Sequence, residues 1–152
     1  MTAQPGRKPL PKRTLEALHT SIDHWEEVVA SPTKTMIGVD HCALCQLFHP
    51  YTSPERHLRY RQDLSTMCEG CLVRDATGQS GCRGTPYGEC ERHDPTAEAE
   101  YDLFLAAARA ELAFLRSLAP AAEATWLAAT QDERDTWTWD WEKLQHSLVY
   151  EI

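Results

Sequence analysis

Apolar residues recur at steps of three and four between Thr14 and Ala30. Leu15, Leu18, Ile22, Trp25 and Val29 fall on one face, with Glu16, Asp23 and Glu27 off it. That period predicts an amphipathic helix resting on a core. Ser31-Pro32 ends it, because the residue before a proline is pushed out of the helical region. Thr35-Met36-Ile37-Gly38-Val39 then reads as a short β-prone strand. Ser53-Pro54 has the form of an N-cap followed by a first-turn proline, and predicts a helix through Arg61. Asp94-Pro95 repeats that signal ahead of a broad apolar stripe, Tyr101, Phe104, Leu105, Ala108, Leu112, Leu115 and Leu118, which runs down to Pro120. Ala121 to Ala129 reads as a short helix. Thr130-Gln131-Asp132-Glu133 has the form of a capping box that opens a last one.

The pattern predicts a mainly α fold, with a small irregular zinc-binding module inserted among amphipathic helices. Residues 1–13 read as a disordered basic arm. Residues 14–119 form one domain, with the cysteine-rich module at 40–92 and a long helix at 95–119. Residues 120–152 are an acidic, tryptophan-rich helical extension of it.

All six cysteines lie between positions 42 and 90. Cys42-Ala43-Leu44-Cys45 and Cys68-Glu69-Gly70-Cys71 are two C-x-x-C pairs separated by 22 residues. Two residues between ligands let a tight turn aim both sulfurs at one centre, so paired knuckles predict a closed, structural tetrahedral zinc site. An iron–sulfur cluster is the alternative for four or more thiolates. A disulfide framework suits an even cysteine count, and a redox pair would need a strand-to-helix setting that neither motif has. Cys42, Cys45, Cys68 and Cys71 are the simplest ligand set. Cys82, in the turn-forming run Gly81-Cys82-Arg83-Gly84-Thr85-Pro86-Tyr87, is the alternative ligand. Cys90 reads as a spare, partly exposed thiol, and His41, His49 and His93 as solvated neighbours able to substitute.

The two pairs together with that Gly-Cys-Arg-Gly-Thr-Pro-Tyr loop, and the helix Leu15…Leu18…Ile22…Trp25 ahead of them, resemble small cysteine-rich proteins of bacteriophages and prophages. The likeness spans about residues 14 to 90. It implies a viral origin and a metal site, and implies no reaction.

Charge narrows the function. The chain carries a formal net charge of −8, and residues 93–152 hold twelve acids against four bases. A net acidic chain repels phosphate, which lowers the prospect of general nucleic-acid binding. A local patch remains conceivable through Arg56, Arg59, Arg61, Arg74 and Arg83, since guanidinium forks pair with phosphate. No apolar run approaches the ~20 residues of a bilayer span, and no apolar stretch follows the N-terminal bases as in a secretory signal. The expectation is a cytoplasmic protein, in the host cytoplasm if phage-encoded. No H-E-x-x-H, G-x-S-x-G or phosphate-binding glycine motif occurs, and the deaminase pattern lacks its glutamate, so no enzyme is expected. The favoured reading is a zinc-stabilised protein that binds another protein and inhibits a host or defence factor. Trp137, Trp139 and Trp141, flanked by acids, are the candidate anchors. The alternative is a nucleic-acid-binding zinc module that uses the arginines.

Overall fold

The computed structural model describes residues 9–137. Its long helices are α1 (Lys12–Ala30) and α6 (Tyr101–Ala128). Between them lie four short ones: α2 (Ala43–Phe48), α3 (Pro54–Gln62), α4 (Leu72–Thr77) and α5 (Tyr87–Arg92). Single 3₁₀ turns occupy Val39–His41 and Leu64–Thr66. A last helix, α7, occupies 131–137. Among the described residues there is no strand, and no helix is long and apolar enough to cross a membrane.

The fold rests on α1 packed antiparallel against α6. Leu15, Leu18, Ile22, Trp25 and Val28 are buried along α1. Phe104, Ala107, Ala108, Leu112 and Leu115 meet them or the cysteine-rich segment from α6. Leu18, Val28 and Ala108 have no exposed surface at all. Two surface pairs mark the register. His19 Nε2 lies 2.9 Å from Glu123, and Arg116 donates to Glu26 at 3.1 Å. Seven residues forward along α1 correspond to seven backward along α6, two turns on each. Both pairs are half exposed, so they report the alignment and contribute little energy to it.

Several expectations are corrected. The basic arm does not extend to residue 13: Leu10 is buried in the core, and Pro11 caps α1, its carbonyl accepting the Thr14 N–H at 2.9 Å. Proline's fixed φ suits a helix entrance, so α1 starts at Lys12, three residues before the apolar stripe opens at Leu15. Residues 35–39 form no strand. Lys34 and Thr35 turn back onto the Ser31 carbonyl, Gly38 takes a φ of 125°, and no neighbouring edge offers a ladder. Asp94 does not open the long helix; its carboxylate instead accepts from the N–H and hydroxyl of Thr96, a local turn that delays the helix to Tyr101.

Pro120 does not end the helix either. α6 runs through it for 28 residues. Proline in a helix interior removes one hydrogen bond, here to the Arg116 carbonyl, and disfavours the preceding turn. The alanine-rich flank and buried Leu115 and Ala122 hold the helix on both sides, while the proline itself is exposed. After Ala129 the capping box forms as the sequence predicts: the Glu133 N–H donates to the Thr130 hydroxyl and the Thr130 N–H to the Glu133 carboxylate, both at 3.1 Å. Thr130→Ala is expected to lower stability by about 1 kcal/mol. A thermal melt in which the variant and parent coincide would show that α7 is held by packing alone.

Candidate metal centre

Five cysteines, Cys42, Cys45, Cys68, Cys71 and Cys82, converge from three pieces of chain onto one cavity of about 70 Å³ and form part of its lining. Each pair places one cysteine at a helix start. Cys42, first of its pair, stands at the N-cap of α2 and its Sγ accepts the Cys45 N–H at 3.2 Å, satisfying one of the unpaired N–H groups there. Cys71, second of its pair, stands at the N-cap of α4, where the Val73 and Arg74 amides favour its thiolate.

Cys68 and Cys82 share a different device. Both hold φ at 61°, the left-handed region, and both are followed two residues later by a glycine of positive φ, Gly70 at 91° and Gly84 at 80°. The sequence Cys-x-Gly thus makes the same turn twice. Non-glycine residues in that region are strained and persist where the surroundings dictate them. Gly70 is needed for space as well: a Cβ there would come within 3.1 Å of Phe48.

The electrostatics are those of crowded thiols. Cys42 is held below the ordinary thiol value, first by the hydrogen bond from the Cys45 thiol, with the Cys45 and Leu44 amides adding to it against burial. Cys45 keeps the shared proton and is raised by that bond, by burial and by Cys42, Cys82 and Cys71 facing it. Burial pushes Cys71 up to about 12 and raises Cys68 and Cys82 as well. In the metal-free chain Cys45, Cys68, Cys71 and Cys82 therefore rest as neutral thiols. A bound cation would reverse that balance, because a coordinating thiol is deprotonated outright.

Among the described residues, no three His, Cys, Asp or Glu side chains are grouped as a single metal ion would need. The structure gathers the expected cysteines, Cys82 included, around a space and not around a point.

Of the other candidates, His41 and His49 also line this cavity, whereas Cys90 and His93 do not. Cys90 is not the partly exposed thiol the sequence suggested; it is 1% exposed, pushed up to about 12 by burial, and lies off this cavity. His49 is buried rather than solvated, its Nδ1 accepting the Tyr51 N–H at 3.1 Å, and burial lowers its pKa. His93 sits between Glu89 and Glu100. His41 is exposed.

The arginines divide between internal partners and the surface. Arg56 is 4% exposed, 5.1 Å above the Phe48 ring, and lowered to about 10 by desolvation. Arg59 pairs with Glu69 at 3.0 Å. Arg74 donates to the carbonyls of Met67 and Ser65 at 3.0 and 2.9 Å. Of the five, Arg61 and Arg83 are the exposed ones. Trp137 is buried and lies 6.5 Å from the Trp126 ring, which makes it core and not an anchor. Trp139 and Trp141 lie outside the described residues.

One residue of the site escaped the sequence reading. Glu111 lies on the buried face of α6, lines the cavity and is 3% exposed. Burial pushes its carboxyl up to about 7, while the Thr85 hydroxyl and Tyr87 N–H pull the other way. The signal was available: 104, 108, 111 and 115 follow the helical step, and a glutamate occupies one of them. No family model, curated protein or solved structure matches the chain.

Two predictions follow from burial. Glu111 has an ordinary pKa of 4.5 in the unfolded chain and about 7 in the fold. Between those values the unfolded chain has lost the proton that the folded, metal-free chain retains, so this group's contribution to stability falls as pH rises through the window, by roughly 3 kcal/mol, and is level above it. Urea midpoints for Glu111→Gln should show that slope removed; an unchanged slope would mean that the carboxyl is ionised in the fold. Cys90→Ser places a hydroxyl in an apolar pocket and is expected to lower stability by about 1–3 kcal/mol, read in the same titration.

Proposed function

We propose that the chain is a non-enzymatic, metal-stabilised helical protein of phage type that acts by binding another protein, a host or defence factor, and inhibiting it. Thiolates from Cys42, Cys45, Cys68, Cys71 and Cys82 are the ligands on offer, and the metal's part is to lock segment 39–92 onto the α1–α6 pair. Binding energy in such a centre is folding energy.

The observation that carries the partner reading is an open groove of about 480 Å³ between residues 32–38 and 90–95, which shares Gly38 and Tyr87 with the thiol cavity. Its wall includes Phe104, and Met36 stands on its lip 67% exposed. Exposed apolar side chains beside a concave surface are characteristic of protein-binding sites. The groove carries Lys34 on one side and Glu91 and Asp94 on the other, which suits an apolar segment with a polar rim. The nucleic-acid alternative has less to work with, since three of its five arginines are engaged inside the protein.

The test uses the full chain as bait in host lysate, then measures affinity for the retained protein. Met36→Asp is expected to weaken that affinity about tenfold or more without changing the melting temperature. Arg61→Ala with Arg83→Ala is expected to change nothing. If instead the arginine pair abolishes binding, and affinity for DNA or RNA falls steeply with salt, the nucleic-acid alternative is correct.

A further inference from the structure

Two C-x-x-C pairs of equal spacing border the cavity, and the fold shapes them differently. Cys42 is extended, at φ −118° and ψ 115°, and the chain enters α2 directly after it, so that Cys45 falls in the first turn of the same helix. An extended residue running straight into a helix is the backbone junction of a redox pair, reached here without a strand. In the second pair Cys68 holds a left-handed φ of 61°, and only Cys71 reaches a helix start. The pairs differ in reach as well. Cys42 and Cys45 are partly exposed, whereas Cys68 and Cys71 are each 7% exposed. Cys82 is partly exposed too, but no cysteine stands three residues from it.

The sulfurs of the first pair are already partners. Cys42 Sγ accepts from the Cys45 thiol, from the Cys45 N–H at 3.2 Å and from the hydroxyl of the buried Ser21 on α1. Those three donors hold Cys42 as the attacking sulfur, with Cys45 beside it as the proton-bearing one that follows. In the second pair the equivalent N–H, that of Cys71, goes to the Cys68 carbonyl at 3.0 Å and not to its sulfur.

We propose that Cys42 and Cys45 are a thiol–disulfide exchange pair, whose oxidation by a small-molecule disulfide dismantles the metal centre. Cys42 Sγ attacks one sulfur of that disulfide; its S–S bond breaks, a mixed disulfide forms and the first thiol leaves. Cys45 Sγ then attacks Cys42 Sγ, which closes the Cys42–Cys45 bond and releases the second thiol. The pair loses two electrons and two protons, and the two released thiols carry both. Three of the five cysteines then remain for a cation that is closed by four. The switch rests on the reading of these cysteines as a metal centre, and names what regulates it.

The experiment exposes the full reduced, metal-free chain to oxidised glutathione in the absence of oxygen, in buffer and in concentrated urea. Peptide mapping locates the disulfides, and zinc uptake is counted before and after oxidation. Closure entropy is the same for two loops of equal length, so the unfolded chain is expected to form both C-x-x-C disulfides alike. In buffer, Cys42–Cys45 is expected to exceed Cys68–Cys71 by about tenfold or more. The oxidised chain is expected to take up about a tenth or less of the zinc that the reduced chain holds. Cys45→Ser is expected to accumulate glutathione on Cys42; should that variant fail to fold, the buffer and urea maps of the parent chain decide alone. Equal yields of the two pairs in buffer, a Cys45–Cys82 bridge in place of Cys42–Cys45, a folded Cys45→Ser without glutathione on Cys42, or zinc uptake unchanged by oxidation each overturns the proposal and leaves the metal centre standing. A reduced chain that holds no zinc overturns the centre and the switch together.

Discussion

A six-residue helix cannot hold itself together in water. Nucleation costs more than so few hydrogen bonds return, and isolated helices need about 12–15 residues before they are even marginal. α2, α4 and α5 are each six residues long, and α3 is nine. Everything between Val39 and Arg92 therefore depends on being pinned from outside. Two things pin it: the apolar wall of α1 and α6, and the five sulfurs that face one another at its centre. The wall contributes through Leu44, Phe48 and Val73, all buried. The sulfurs contribute only when something ties them, because neutral thiols are weak partners.

The two left-handed cysteines, the buried Glu111 and the raised thiols of Cys45, Cys68, Cys71 and Cys82 all border one cavity. Elsewhere the chain obeys local rules closely, from the Pro11 entry of α1 to the reciprocal bonds of Thr130 and Glu133. Natural sequences concentrate their departures from those rules at functional sites. The buried Arg56 belongs with this region too. It lies on the Phe48 ring, beside the space that a Cβ on Gly70 would enter, so the Cys68 turn and α3 are packed as one unit.

The two long helices were legible because their apolar residues repeat over many turns, and their burial follows that repeat. Their ends were not. Proline carries opposite meanings at Pro11, Pro95 and Pro120, and packing decides among entry, turn and passage through. The convergence of Cys42, Cys45, Cys68 and Cys71 could be read from spacing. The place of Cys82 was harder, because its kinship with Cys68 is one of backbone shape, a Cys-x-Gly turn repeated, and not of C-x-x-C pairing. Cys90 was misjudged for a related reason: its glutamate neighbours are exposed, but a helix turns every fourth side chain inward. The arginines of α3 read as a surface patch from composition alone. The packing of Arg56 on Phe48 and the pairing of Arg59 with Glu69 depend on residues eight and ten positions away.

The register of the helix pair has a consequence for how the centre can change over time. With His19 opposite Glu123 and Glu26 opposite Arg116, the end of α1 at Ala30 falls near residue 112 of α6. The first eleven residues of α6, about 16 Å at 1.5 Å each, project past α1 as a cantilever, and it is this overhang that carries Phe104, Ala108 and Glu111 to α5 and the cavity. A one-residue insertion in α6 between 112 and 116 would rotate that beam by about 100° and turn Glu111 away from the sulfurs. Every cysteine spacing would be intact and the chamber would be open on one side. The integrity of the centre is thus written partly in the length of a helix that contains no cysteine.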